Sequence, residues 1–96
     1  MKVFVMKIEL RASWVHSLKE KRMVVKSLIQ KLKNKFNISV CEADNQDVHK
    51  SIIIGICGLS TSSTKIDSII DNIINYVEEC TDAEIVTIET EKEEYS

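Results

Sequence analysis

Hydrophobic periodicity changes along this chain in a fixed order, and that order limits the fold more than any single motif does. Residues 2–11 alternate: Phe4, Met6, Ile8 and Leu10 fall on one side, and Val3, Val5, Lys7, Glu9 and Arg11 on the other. A period of two marks a strand with one buried face. Residues 12–16 form a connection. From Leu18 to Asn34 the spacing becomes helical, with Leu18, Val25, Leu28, Ile29 and Leu32 on one arc. Ser17-Leu18-Lys19-Glu20 fits a capping box, in which the Ser17 hydroxyl accepts from the Glu20 amide and the Glu20 side chain reaches back. Residues 36–43 read as a second strand and residues 44–47 as a polar turn. Residues 49–60 read as a third strand, apolar on both faces, with Gly55 and Gly58 at places of bulge or close approach. Ser60 to Ser63 offer caps for a second helix, whose apolar face is Ile66, Ile69, Ile70, Ile73, Ile74 and Val77. Residues 83–90 close the series as a final strand.

Short connections and right-handed crossovers turn this order into one architecture. It is an α+β ferredoxin-like sandwich, βαββαβ, with a four-stranded antiparallel sheet and both helices on one face. The chain has no proline to interrupt these elements. Its 96 residues suffice for one core. A single domain over residues 1–91 is expected, with 92–96 as a frayed polar tail.

Composition narrows the function classes. The chain is 44% hydrophobic and 29% charged, ordinary for a soluble globular protein. No apolar stretch reaches the roughly 18–20 residues of a membrane span. The first ten residues lack the apolar core and cleavage site of a signal peptide. A cytoplasmic protein without a membrane partner is expected. Cys41, Cys57 and Cys80 match neither a zinc knuckle nor a redox motif, and read as buried thiols in a reducing compartment.

Catalysis finds little support. His16 and His49 stand far apart in sequence, and Gly55 and Gly58 make no phosphate-binding loop. Glu42, Asp44 and Asp47 cluster at the turn, but the glycine-turned calcium loop is missing, so a solvated turn is the better reading. The expectation is a protein that is not an enzyme, with no metal, no cofactor and no small-molecule substrate.

Charge carries the strongest functional signal. The net charge is only −2, yet residues 17–36 hold seven basic side chains against one acid, while residues 63–96 hold two against ten. Lys19, Arg22, Lys26 and Lys33 fall on one flank beside the core arc of the first helix, and Lys21, Lys31 and Lys35 on the other side. Seven charges of one sign serve i,i+4 pairing poorly. They suit phosphate, with Lys19, Lys21, Arg22 and Lys26 as contacts and Arg11 and His16 as helpers. A plainly solvated face with lysine stems covering the core edge is the competing reading. The sheet's open face lacks the aromatic residues on which RNA-recognition domains stack bases. Val3 and Val5, with Ile52 or Ile53, make it apolar instead, which suits a homodimer.

The run His16-Ser17-Leu18-Lys19-Glu20-Lys21-Arg22, followed by Val24-Val25-Lys26-Ser27-Leu28, resembles the YlxP-like family, a domain of unknown function. Phe36-Asn37-Ile38-Ser39-Val40, leading to Glu42 and then Gln46-Asp47, supports the match, which covers about the whole chain. The chain departs from the family at Asp47-Val48-His49, where relatives commonly carry a bulky apolar residue and a tryptophan after the aspartate. The resemblance implies the same ferredoxin-like fold. It also implies a bacterial protein near the ribosome, because relatives are often encoded beside genes for translation initiation and ribosome maturation. Ribosomal RNA or the small ribosomal subunit is the partner so implied. No catalytic residues carry over. The matching polar positions are Ser17, Lys19, Lys21, Arg22, Glu42, Gln46 and Asp47, of which Ser17 also reads as a cap and Glu42 as a strand-end partner for a basic side chain.

Overall fold

The computed structural model describes residues 1–45 and 47–96. The elements are β1 (Lys2–Arg11), α1 (Leu18–Lys35), β2 (Ser39–Asp44), β3 (Ser51–Ser60), α2 (Ser63–Cys80) and β4 (Glu84–Glu94). All strand pairs are antiparallel, in the order β2-β3-β1-β4. This is the ferredoxin-like arrangement that the periodicity predicts. The alternation in β1 is borne out, since Phe4, Met6, Ile8 and Leu10 are buried beneath the helices.

Both helices have 18 residues and the same burial stripe. In α1 the buried positions are Lys21, Val25, Leu28 and Leu32. In α2 they are Ile66, Ile70, Ile73 and Val77, at the same spacing. The two βαβ halves are thus alike in construction, and Lys21 stands where the second half has Ile66. Helix α1 packs toward β2, and α2 toward β1 and β3. Phe36 and Tyr76 join the two helices edge to face, with ring centroids 5.7 Å apart.

Two expectations need correction. The final strand does not stop at 90, and 92–96 is not a free tail. Lys2 pairs with Glu94 in the β1–β4 ladder, so β1 supplies a backbone partner beyond the last apolar residue. Met1 and Tyr95 then exchange both backbone hydrogen bonds. Lys2 Nζ lies 2.7 Å from Glu94 and holds that carboxyl below its ordinary range. The cysteines are the second correction. Cys41 and Cys57 are exposed and only Cys80 is partly buried. The strands place the first two on the sheet face that no helix covers.

Gly58 is needed for a close approach. Its partner across the ladder is Phe4, and a Cβ on Gly58 would lie 2.7 Å from Phe4 Cε1 and 3.0 Å from Cζ. Phe4 is fixed in the core at 1% exposure, so the ring cannot swing clear. Gly58→Ala should destabilise the fold by about 1–3 kcal/mol through overpacking, measurable by urea unfolding. An unchanged midpoint would mean that the ring has room to move.

Candidate nucleic-acid interface

Ser17 caps α1 as the sequence requires, with its Oγ accepting from Glu20 N at 3.1 Å. The reciprocal bond differs by one residue: Glu20 Oε1 accepts from His16 N at 3.0 Å. Together they fix the entry to the helix, from which Lys19 and Arg22 project within the first turns. Lys19, Arg22, Lys26 and Lys33 are all exposed. Among the described residues none of the four forms an ion pair. Arg22 and Lys26 border a groove of about 370 Å³ between α1 and the β2 edge, floored by Val25 and Ile29 and closed by Glu42.

Lys21 does not belong to this surface. Its side chain is 1% exposed, and its Nζ lies 3.0 Å from Glu42 Oε2 and donates to the carbonyl of Asn45. The spacing signals this burial: Lys21 precedes Val25 by four and Leu28 by seven, on the stripe that faces the core. Reading only apolar residues into that stripe places it outside, where it is not. The expectation that Glu42 partners a basic side chain at the strand end is met, with Lys21 as that partner.

The buried ammonium organises the hairpin between β2 and β3. Asn45 has φ 58°, a left-handed conformation that asparagine tolerates better than most residues. Its amide donates to Asp44 Oδ1 at 2.8 Å, and its side-chain Nδ2 donates to Ser51 Oγ at 3.0 Å. Its carbonyl accepts from both Val48 N, at 3.0 Å, and Lys21 Nζ. Glu42 Oε2 is buried and makes only the ionic contact to Lys21, with no hydrogen bond in good geometry among the described residues. Each charge therefore depends on the other. Gln46, a matching polar position, lies outside the described residues.

Other predicted helpers are divided. Arg11 lies at the same end of the sheet as Lys19 and Arg22 but on the opposite face, opposite Ser51 and Glu84 in the ladders. It does not join the α1 stripe, because odd residues of β1 point away from the helices. His16 is exposed at the mouth of α1. Lys31 and Lys35 face α2: Lys31 Nζ donates to Cys80 O at 3.4 Å, and Lys35 Nζ lies 5.8 Å from the Tyr76 ring centroid. Burial pushes the Cys80 thiol up, more than the nearby Lys31 charge draws it down.

The open sheet face carries an apolar patch around Val5 and Cys57, bordered by the Lys7–Glu89 ion pair at 3.7 Å. Val5 is 54% exposed and Leu59 62%. Val5, Cys41, Gly55 and Cys57 line a shallow groove of about 210 Å³ there. Ile53 lies on this face and Ile52 on the helix face, as their partners Glu9 and Leu10 require. Among the described residues no group of three or more His, Cys, Asp or Glu gathers as metal ligands, and no helix is long and apolar enough to cross a membrane.

Residues 3–90 match the family described as "Protein of unknown function (DUF503)". Over 75 residues the chain is 31% identical to "Uncharacterized protein YlxP" of Bacillus subtilis (strain 168), spanning 78% of this chain and 82% of that protein. Among solved structures, the "De novo designed protein Foldit4" is similar at a TM-score of 0.49 and 13% identity, covering 98% of this chain and 99% of that one.

Proposed function

The chain belongs to the DUF503 family, whose function is unknown, and we propose that it is a small, non-enzymatic, cytoplasmic protein that binds RNA through α1, with the ribosome as the partner that the YlxP-like resemblance implies. One observation carries this reading: Lys19, Arg22, Lys26 and Lys33 share one exposed flank and have no ion-pair partner among the described residues. Such a stripe neutralises phosphates with little dependence on base sequence. The capped N-terminus of α1 adds a positive dipole end beside Lys19 and Arg22. Lys21, held by Glu42, is not one of the contacts.

The test is binding to small ribosomal subunits, against a bulk RNA competitor, across a salt series. A variant carrying Lys19→Glu, Arg22→Glu and Lys26→Glu serves as the comparison. Salt-sensitive binding lost in the variant supports the reading, and preference for subunits over bulk RNA makes it ribosomal. No binding at low salt removes it.

A second reading, a homodimer through the open face, is favoured by the apolar groove around Val5 and Cys57. An apolar face of this kind packs against another and resists salt. On this reading Val5→Asp should convert a salt-resistant dimer to monomer in sedimentation. A wild-type chain that is monomeric at high salt would rule it out.

A further inference from the structure

The two helices carry opposite charges at equivalent places. On α1 the exposed basic residues Arg22, Lys26 and Lys33 each follow a core position by one. On α2 the exposed acidic residues Asp67, Asp71 and Glu78 follow theirs in the same way, at the same i, i+4, i+11 spacing. The basic flank lies above the β2 edge, where Arg22 and Lys26 border the groove with Glu42. The acidic flank lies above the β4 edge, where Asp67 contacts Lys92 at 2.8 Å. Both β2 and β4 are edge strands, each with one side of its backbone unpaired by any other strand among the described residues. The helix flank above one edge of the sheet is therefore basic and the flank above the other acidic.

We propose that a second copy of this chain docks its β4–α2 edge against the β2–α1 edge of the first, extending the sheet from one copy to the next. The orientation follows from the topology. Alternating antiparallel pairs make β2 and β4 run in opposite directions across the sheet. A neighbour in the same orientation thus brings its β4 antiparallel to β2, with its helices on the same side. Arg22 and Glu78 both lie toward the β2–β3 turn, and Lys33 and Asp67 toward the other end. Opposite charges meet along the seam without reversal of either copy. The contact is heterologous, so it propagates beyond a dimer. The charges on β4, including Glu91 and Glu93, discourage pairing with an arbitrary strand. The partner is selected by its cationic flank and not by the strand alone. The inference goes beyond the RNA reading and uses part of the same surface, so RNA and the second copy compete for Arg22 and Lys26.

Sedimentation velocity of the full chain tests this at low salt, about 20 mM, where screening is weak, and at about 500 mM, where it is strong. At low salt the wild type should form species that grow with concentration past a dimer; at high salt it should be monomeric. Two variants follow, one with Arg22→Glu, Lys26→Glu and Lys33→Glu, the other with Asp67→Lys, Asp71→Lys and Glu78→Lys. Each should be monomeric alone at low salt, and an equimolar mixture should associate again. The single reversals Lys26→Glu and Asp71→Lys pose the same question should either triple variant fail to fold. A monomeric wild type at low salt overturns the proposal, as does a folded mixture that stays monomeric. An assembly that stops at a dimer and survives high salt also overturns it, and points to the open face. The acidic-flank variant should keep its RNA binding, so loss of self-association and loss of RNA binding are separate readouts.

Discussion

Replacing Glu42 by alanine will destabilise the fold by about 3–5 kcal/mol, the loss expected when a buried charge is left without its counter-ion. Lys21 is 1% exposed and α1 holds its stem in place between core positions, so its ammonium cannot simply turn to solvent. The Asn45 carbonyl remains as its partner, but it supplies a dipole and no charge. For a domain of this size the thermal midpoint should fall by more than about 12 °C. The double variant Lys21→Ile, Glu42→Val removes both charges and copies the choice that α2 makes at Ile66. It should lie near the wild type, because apolar replacement of a whole buried pair is often neutral or stabilising. Calorimetry on the wild type and both variants decides the point. A Glu42→Ala variant within about 1 kcal/mol of wild type, less than a typical buried-pair loss, would mean that water reaches the ammonium.

The second large effect is on RNA. On the proposed RNA-binding reading, reversing Lys19, Arg22 and Lys26 removes three phosphate contacts and sets three carboxylates against the backbone. Each contact to a single strand contributes a salt slope of about −0.7 in log K against log salt. Loss of three lowers the slope by about 2, which at about 0.1 M salt is roughly a hundredfold in affinity. Repulsion from the new carboxylates adds to this. Filter binding over a salt series gives both the slope and the intercept. Lys31→Glu and Lys35→Glu, on the side of α1 that faces α2, should change the slope far less. Equal losses from the two sets would assign the effect to net charge and leave no role for the flank.

Most of the fold is legible in the chain because its buried faces are regular. Phe4, Met6, Ile8 and Leu10 announce β1, and the isoleucines of α2 announce its face. The rest is hidden for definite reasons. Lys92 to Glu94 read as tail because the sequence shows their charge, while a strand needs only a backbone partner, which Lys2, Val3 and Phe4 supply. Cys41 and Cys57 read as buried because they stand in apolar strands. Which side of a strand has a helix over it is decided by the topology and not by the residue. Of the site, the flank of Lys19, Arg22 and Lys26 is legible from helical spacing alone. Lys21 is not, so long as the core stripe is taken to exclude charge. Its partner Glu42 stands in the next element, 21 residues further along the chain, and no local pattern joins them.

The burial of Lys21 has a chemical consequence. Acylating reagents attack a free amine and need it to reach solvent. The exposed lysines of α1 meet that condition at once. Lys21 meets it only while the hairpin stands away from the helix, because leaving Glu42 and Asn45 is the same motion as reaching water. Its acylation rate is therefore a clock for a local opening within an otherwise folded chain. Read peptide by peptide in a mass spectrometer, that clock times the detachment of the turn with no label engineered into the protein.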